Sequence, residues 1–389
     1  MEKGQGSMEL GAAVPFDLAA EFPIALEAIY LNHAASAPLP ARSAAVLRRA
    51  ADDRQRLFHL YQAGTQDFDP APLRSMLGRL LNAPPEAIAF VPSTSDGVSG
   101  ALNGLDWQSG DNVVLPANEF PSLVHACQRL AGRGVEARMV PVPWGAPSVP
   151  ALLDRVDART RAVVASQVHW QTGDRIDLEA LGTACRGRGV LSVIDAIQSL
   201  GAVPTDVQQA PVDVLVAGTY KWLLGIQGLA VLYASDRALE RITPDRAGWK
   251  SMARSSAGAA GLPWAPGAQR FAVGGGNDPA LMVLEQSLGL LLEAGGAVLP
   301  HTQRMLDRLA AGILPLGLGM NSDLAPGARS SFFSVTTGDP ARDAALTRAL
   351  AAERTIVAVR GPGIRIAPHL HTTPEQIDRV IEQVGRNLR

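Results

Sequence analysis

Short apolar runs alternate along most of this chain with longer segments in which apolar residues recur every three or four positions. The runs AIAF, NVVL, AVVAS, VLSVID, VLVAG and LAVLY are typical of buried strands, and the glycine and polar residues beside them are typical of turns. Segments such as LEALGTACRGRG are typical of amphipathic helices. Strands that alternate with helices over short connections predict an α/β fold with a large doubly wound, mainly parallel sheet.

The C-terminal part has shorter strand patterns between amphipathic helices, which predicts a smaller α+β unit. The opening MEKGQGS has neither pattern, and we interpret it as a tag remnant. These differences predict four segments: residues 1–7 as the tag remnant, 8–40 as an N-terminal segment, 41–280 as a large domain with the doubly wound sheet, and 281–389 as a small C-terminal domain.

Composition narrows the class of protein. The 389 residues are 47% hydrophobic with a formal net charge of −2, which is typical of a globular protein with a large core. No basic run indicates a nucleic-acid partner, no apolar run reaches the ~18 residues of a membrane helix, and no secretory leader pattern follows the start. Cys127 and Cys185 lie in helical patterns and give no disulfide framework. We therefore expect a cytoplasmic protein without nucleic-acid or membrane partners.

Two charged residues follow neighbouring strand patterns. Asp195 closes the run VLSVID, and Lys221 follows the run VLVAG. In an open α/β sheet the carboxyl ends of the strands face one crevice, so both side chains are expected there. Enzymes that use pyridoxal 5′-phosphate (PLP) need a lysine for the Schiff base and a carboxylate at the pyridinium nitrogen. The only other lysines are Lys3, in the opening tail, and Lys250, in a loop without a preceding strand, so the Schiff base falls on Lys221.

The stretches SVIDAIQSLGAVPTDV and AGTYKWLLGIQGLAVLY resemble the class V aminotransferase family of PLP enzymes. That family includes cysteine desulfurases, kynureninases and isopenicillin N epimerases, and the likeness extends from about Tyr30 to the C-terminus. The resemblance implies the aspartate aminotransferase-like fold (fold type I), PLP as the cofactor, a small amino acid as the substrate, and a homodimer. It also implies that Lys221 and Asp195 are the catalytic pair, that segment 8–40 lines the site and that domain 41–280 binds the cofactor.

Several further residues are cofactor candidates. The strand–turn–helix pattern AFVPSTSDGVSG would direct N–H groups and hydroxyls at an anion, and by resemblance Thr94 and Ser95 hold the cofactor phosphate. Ordinary helix capping is the alternative. Phe120 and Tyr220 resemble kynureninase, in which an aromatic ring stacks on the pyridine and a tyrosine bonds the phosphate. Simple core packing is the alternative for both.

The chain departs from the family pattern where desulfurases use an Asn to bond the 3′-oxygen of the cofactor. Trp170 stands at that position, and His169 or Gln198 is the candidate substitute. By resemblance, the glycine-rich turn Gly274–Asn277 reaches the phosphate of the partner subunit in a homodimer. The family's threonine corresponds to Gly275, so only a backbone N–H remains there, and Asn277 is the candidate side chain.

Substrate candidates lie at both ends of the chain. GPGIRIAPH matches the family's C-terminal signature, whose arginine clamps the substrate carboxylate through two parallel bonds; this implies Arg365, with Arg360 in reserve. A surface arginine on an edge strand is the alternative. Asn32 and His33 correspond to a segment that lines the substrate side, and an Asx turn with a surface histidine is the equally weighted alternative.

The spacing of His369 and His371 is one that some metal sites use, but no third ligand accompanies it, so we predict no metal. Desulfurases carry a cysteine just before the carboxylate arginine, whereas VAVRGPGIR has none, which disfavours a persulfide mechanism. The reaction we rank first is C–S lysis by β-elimination from an S-substituted cysteine. The alternatives are an aminotransferase or decarboxylation-linked deaminase, an amino-acid epimerase, and a catalytically silent PLP-fold binding protein.

Overall fold

The structure is a computed structural model that describes five stretches of the chain: residues 14–56, 68–142, 144–146, 148–253 and 263–388. The predicted tag remnant, residues 1–7, and Lys3 within it lie outside these described residues.

The N-terminal segment begins with two short helices and a two-residue strand, and two longer helices follow. These elements are α1 (Leu18–Glu21), α2 (Ile24–Glu27), β1 (Ile29–Tyr30), α3 (Ala41–Arg56) and α4 (Ala71–Leu81). Helix α4 ends because Asn82 adopts a left-handed conformation, with φ of 53°, and prolines follow.

A seven-stranded sheet forms the centre of the larger unit, in the order β2-β8-β7-β6-β5-β3-β4. Its strands are β2 (Ile88–Val91), β3 (Asn112–Pro116), β4 (Glu136–Val140), β5 (Thr160–Ser166), β6 (Leu191–Asp195), β7 (Val214–Gly218) and β8 (Ala230–Ala234). Strand β8 runs antiparallel to both of its neighbours, and the pairs from β7 through β6, β5 and β3 to β4 are parallel. The predicted α/β class with a mainly parallel sheet is therefore confirmed.

Helices cover both faces of this sheet, and its inner strands are accordingly mostly apolar, whereas the edge strand β4 is partly exposed. They are α5 (Thr94–Asn103), α6 (Pro121–Arg129), α7 (Val149–Leu153), α8 (Leu178–Gly187), α9 (Asp236–Arg241) and α10 (Asp278–Glu293). Alternate strand residues enter opposite cores: Val163 packs with α4, α8 and α10, whereas Val164 packs with α5, α6 and α9. Single turns of 3₁₀ helix lie at Pro85–Ala87, Leu130–Arg133, Gly267–Phe271 and Leu314–Leu316.

The C-terminal unit has its own four-stranded antiparallel sheet, in the order β12-β13-β10-β9. Its elements are α11 (Val298–Ile313), β9 (Gly319–Met320), β10 (Phe333–Thr336), α12 (Pro340–Ala352), β11 (Thr355–Ile356), β12 (Ala358–Arg360), β13 (Gly363–Ile366) and α13 (Pro374–Leu388). Strand β11 pairs in parallel with β1, so the N-terminal segment is joined to the C-terminal unit.

The predicted boundary at residue 280 falls inside helix α10. The apolar side chains Leu284, Leu288 and Leu291 of that helix belong to the same core as the large sheet. We therefore propose a later boundary, between α10 and α11. Among the described residues, no single helix has the length and apolarity to cross a membrane, although the bent pair 278–293 and 298–316 passes that test when taken together.

Candidate functional site

Four polar side chains form a row at the carboxyl edge of the large sheet. Lys221 follows β7, Asp195 ends β6, Ser166 ends β5 and Glu119 lies in the turn after β3, and these four strands are consecutive neighbours in the sheet. Ser166 and Asp195 are register partners. All four side chains are buried, with exposed fractions of 9% or less. A row of buried charged groups of both signs is typical of a catalytic centre.

Asp195 is held by the turn that follows its own strand. One oxygen, Oδ1, accepts a hydrogen bond of 2.9 Å from the Ile197 backbone N–H. The pKa of Asp195 is raised to about 7, mainly by burial and also by the nearby Glu119 carboxyl, while the Ile197 bond and Lys221 act in the opposite direction. A carboxyl group with this proton affinity exchanges its proton near neutral pH.

Lys221 lies in the tight turn that follows β7. Burial lowers its pKa to about 8, and Arg365 and Arg360 contribute to this decrease while Asp195 opposes it. An amine with this pKa is a far better base at neutral pH than an ordinary lysine. The Tyr220 ring lies beside it, with its centroid 5.7 Å from Lys221 Nζ.

Thr94 and Ser95 begin helix α5, as the strand–turn–helix pattern predicts. Ser93 caps this helix by accepting a 3.1 Å bond from the Asp96 N–H. Thr94 Oγ1 accepts a 2.8 Å bond from the Gly218 N–H at the end of β7, and Ser95 Oγ donates to Ser122 Oγ at 2.7 Å. The helix N-terminus therefore lies next to the strand that carries Lys221, which is suitable for an anion.

Phe120 and Trp170 meet edge to face, with ring centroids 5.4 Å apart at 84°. Phe120 is 40% exposed, which is unusual for a phenylalanine in an α/β protein and leaves its ring available to a planar ligand. The indole N–H of Trp170 donates to the Asn118 carbonyl at 3.2 Å. The stacking role of Phe120 stays a prediction.

His169 and Gln198, the proposed substitutes for the family's asparagine, are both engaged by the protein. His169 contacts Thr172 Oγ1 through Nδ1 at 3.0 Å and the Asn118 carbonyl through Nε2 at 3.3 Å, and burial lowers its pKa to about 4. Gln198 donates to the Ala34 carbonyl at 2.9 Å and accepts from the Trp222 indole at 3.0 Å. These bonds join neighbouring segments, and a bond from either residue to a cofactor stays a prediction.

Arg365 lies on β13, an inner strand of the small sheet, and is 3% exposed, so the surface-arginine alternative is wrong. One guanidinium nitrogen donates to the Trp170 carbonyl at 2.7 Å, while the buried Nε has no partner among the residues that the structure describes. Burial lowers the pKa of Arg365 to about 10, and Arg360 contributes. A buried guanidinium with a free N–H is suited to a carboxylate ligand.

The side-chain oxygen Oδ1 of Asn32 is also buried and finds no partner among the described residues, and the Asn32 backbone forms a bridge to Ala367. His33 is fully buried, so the surface-histidine alternative is wrong. Its ring stacks on His369 with centroids 4.6 Å apart at 18°, and His371 lies 5.1 Å away. We call His33, His369 and His371 the histidine cluster. Substrate contact by Asn32 or His33 stays a prediction.

The histidine cluster does not have the geometry of a metal site. In the part of the chain that the structure describes, no group of three or more His, Cys, Asp or Glu side chains could hold a metal ion.

The glycine-rich turn precedes helix α10, and Asn277 caps that helix by accepting a 3.3 Å bond from the Ala280 N–H. A Cβ atom at Gly275 would meet no atom of the described residues within 4 Å, so these residues leave room above the turn. Contact between this turn and a partner's cofactor stays a prediction.

Glu119 is the site residue that the sequence interpretation missed. The only available signal was its position, since the turn NEFPS follows a strand pattern at the carboxyl edge.

The residues present fit PLP. A buried lysine and a buried carboxyl group lie on adjacent strand ends, an exposed aromatic ring is nearby, and a helix N-terminus faces the same edge. The unpartnered Nε of Arg365 fits the carboxylate of an amino acid. These are the groups that the cofactor and its substrate require.

Comparisons with known proteins agree with this geometry. The family model "Aminotransferase class-V" matches residues 29–376. An uncharacterized aminotransferase of Bacillus subtilis, YcbU, is 26% identical over 315 residues, covering 80% of this chain and 82% of that protein. A kynureninase of Deinococcus radiodurans is 31% identical over 281 residues, covering 69% and 67%.

Two solved structures show the same fold. One is C-DES, described as a cystine C–S lyase, in complex with its reaction product cysteine persulfide. It has a TM-score of 0.83 and 25% identity, and the match covers 94% of this chain and 99% of that one. The other, an apo cysteine desulfurase from Thermococcus onnurineus, has a TM-score of 0.82 at 17% identity, with 96% and 98% coverage, and supports the fold alone.

Proposed function

Because the chain belongs to the class V aminotransferase family and is a PLP-dependent enzyme, we propose that it is a C–S lyase that cleaves an S-substituted cysteine by β-elimination without a protein thiol. The observation that carries this proposal is that both cysteines are buried and protonated. A persulfide mechanism instead needs a reactive thiolate near the base.

The sequence contains two cysteines, and both are buried. Cys127 lies in the core beneath α6 and Cys185 in the core beneath α8, on opposite faces of the large sheet. The pKa of each thiol is raised to about 12, mainly by burial and also by a neighbouring carboxyl group, Glu119 for Cys127 and Asp213 for Cys185. Neither thiol ionises near neutral pH, so neither can serve as a sulfur acceptor.

The likeness to C-DES supports the same reaction class, since cystine is itself a cysteine substituted on sulfur. In the proposed reaction the Cα–H and Cβ–S bonds break, and the sulfur leaves with the electron pair of its bond. One water is consumed in the overall reaction, and the products are pyruvate, ammonium and the thiol. From cystine, the sulfur product is cysteine persulfide.

Three residues have separate roles in the proposed reaction. Bound PLP supplies the electron sink for the negative charge at Cα. Arg365 binds the substrate carboxylate through Nε and its terminal nitrogens and so orients the Cα–H bond. Lys221 Nζ removes the Cα proton, and its pKa of about 8 suits a base at neutral pH. Asp195 holds the proton at the ring nitrogen of the cofactor.

We also propose that the enzyme is a homodimer in which the turn Gly274–Asn277 approaches the partner's phosphate site. The open space above Gly275 supports this, because a bound phosphate could approach the backbone N–H there.

The test is product analysis with PLP-loaded enzyme and a panel of cystine, S-alkylcysteines, kynurenine and ordinary amino acids with a 2-oxo acid. We expect pyruvate, ammonium and thiol or persulfide in equal amounts from the sulfur substrates. A Cys127→Ser/Cys185→Ser double variant that remains folded should keep this activity. A keto acid that retains the substrate side chain would instead show an aminotransferase, and alanine released from kynurenine would show a kynureninase. Loss of activity in the folded double variant would also contradict the proposal.

A further inference from the structure

Glu119 is a buried acid that the proposed reaction does not use. We propose that it is a positioning residue for the cofactor site: it fixes the carboxyl end of β5 and the backbone of Phe120, and it places a second negative charge behind Asp195. This inference rests on the assignment of Lys221 and Asp195 made above but not on the type of reaction.

Three hydrogen bonds hold the Glu119 carboxylate. Oε1 accepts from the Ser166 backbone N–H at 2.7 Å, and Oε2 accepts from the Ser166 hydroxyl at 2.6 Å. Oε2 also accepts from the Phe120 backbone N–H at 3.2 Å. Backbone N–H groups can only donate, so this arrangement favours the ionised carboxylate. Through the same bonds, Glu119 connects the predicted stacking residue to the strand end beside Asp195.

The sheet determines where this charge acts. Ser166 is the register partner of Asp195, and Glu119 binds both donors of Ser166. Strand order therefore places two carboxyl groups and one amine on consecutive strand ends, with the Ser166 hydroxyl between the two acids. Like charges in a poorly solvated site raise each other's affinity for protons. Burial raises the pKa of Glu119, and the bonds from Ser166 and Phe120 oppose this shift.

The pKa of Asp195 also depends on the other titratable groups near this row. Electrostatic interactions connect Glu119 with Asp195 and Cys127, Asp195 with Lys221 and Tyr220, and Lys221 with Arg365 and Arg360. Cys127 and Tyr220 are neutral near pH 7, since burial raises the pKa of both. Among the described residues, Glu119 is therefore the acid whose charge can alter the pKa of Asp195.

The functional consequence concerns the ring nitrogen of bound PLP. A negative charge at Glu119 would raise the proton affinity of Asp195 and of the ring nitrogen of the cofactor. The proton that these two groups would share is then released only at higher pH. The cofactor then keeps its electron-withdrawing form to higher pH than one carboxylate alone would allow. Without the charge at Glu119, the same proton is released at lower pH.

The test compares two substitutions that separate charge from hydrogen bonding. Glu119→Gln keeps the size of the side chain and most of its bonds but removes the charge. Glu119→Asp keeps the charge but shortens the reach to Ser166 and Phe120. For each folded variant, the visible absorption band of the PLP-loaded protein is titrated from pH 5 to 10, and the PLP dissociation constant is measured over the same range.

We expect Glu119→Gln to move the titration midpoint, and the pH above which PLP affinity falls, about one pH unit lower. Glu119→Asp should leave the midpoint within a few tenths of a unit while weakening PLP binding several-fold. If both variants shift the midpoint equally, or if Glu119→Gln leaves it unchanged, the electrostatic role is wrong. Lys221→Ala tests the underlying assignment separately, since an unaltered band in that variant would refute the site itself.

Discussion

Two buried polar regions of this protein have opposite character. At the carboxyl edge of the large sheet, Lys221, Asp195 and Glu119 are charged groups whose neighbours include opposite charges and hydrogen-bond donors. In the histidine cluster, three imidazoles contact one another and the aromatic rings of Phe22, Tyr30 and Trp222. Within the described part of the chain, both ring nitrogens of His33 and of His369, and Nε2 of His371, have no hydrogen-bond partner.

The difference shows what burial alone does and what specific partners add. Burial lowers the pKa of His371 to about 4 and lowers those of His33 and His369 well below the usual value, so all three are neutral near pH 7. Burial also dominates at Asp195 and Lys221, but there each charge partly offsets the shift of the other. Burial brings the pKa values of that pair toward each other, to about 7 and about 8, which is close enough for proton exchange, although the attraction between the two charges acts to separate them. The histidine cluster therefore contributes packing, whereas the row of polar side chains at the sheet edge can transfer protons.

Among the substitutions that test this contrast, removal of the Lys221 amine is expected to have the largest effect. Lys221→Ala should abolish the PLP adduct that borohydride traps on the chain, and it should lower turnover about 10³-fold or more, because no other base takes its place. The measurement is peptide mapping after borohydride reduction, together with steady-state rates. Lys250→Ala is the matched control and should retain both. A trapped adduct that persists in Lys221→Ala would show that the Schiff-base lysine was assigned incorrectly.

A smaller effect is expected from the guanidinium beside the row. Arg365→Ala should raise the KM for the amino acid about 10- to 100-fold, since a bond to a charged group contributes about 1.5–3 kcal/mol. PLP affinity should remain within a few-fold of the parent. Arg360, which is exposed on β12, provides the comparison, and Arg360→Ala should change KM much less. An equal loss of PLP and of substrate binding in Arg365→Ala would mean that the arginine is structural.

The sequence predicted the parts of the site that depend on strand ends. The apolar runs place Asp195 and Lys221 after strands, and the carboxyl ends of parallel strands share one edge whatever the strand order. The same logic located Thr94 and Ser95 at a helix start. The PLP fold and cofactor followed from the family likeness and are confirmed, whereas the individual roles of these residues stay predictions.

The other features of the site and fold could not be predicted, because they depend on contacts between segments that are distant in sequence. Glu119 joins the row only because β3 lies next to β5, which chain order does not reveal. A substrate-side role and a surface position were weighed equally for His33, because nothing nearby in sequence indicates that it stacks on His369. The later domain boundary that we propose also depends on packing, since α10 is apolar enough for either unit and its core contacts are with the large sheet.

The histidine cluster leads to the smallest predicted effect, which concerns stability and not activity. In the unfolded chain a histidine binds a proton below a pKa of about 6.5, whereas His371 in the folded protein does so only near a pKa of about 4. Between these values the unfolded state holds more protons, so stability is fully present above pH 6.5 and is lost as pH falls. His371→Phe removes this group and keeps a ring beside Phe22, whose centroid lies 5.0 Å from that of His371.

Urea unfolding of the PLP-loaded protein at pH 6.5 and 5.5 measures this effect. Other titrating groups, including Asp195, are common to both proteins and cancel in the difference between parent and variant. We expect the parent to lose about 1 kcal/mol more of its free energy of unfolding than His371→Phe over this interval. His125→Ala, at an exposed position on α6, should behave as the parent does. An identical pH dependence in the parent and His371→Phe would show that the cluster tolerates protons when folded, and the contrast with the catalytic row would then fail.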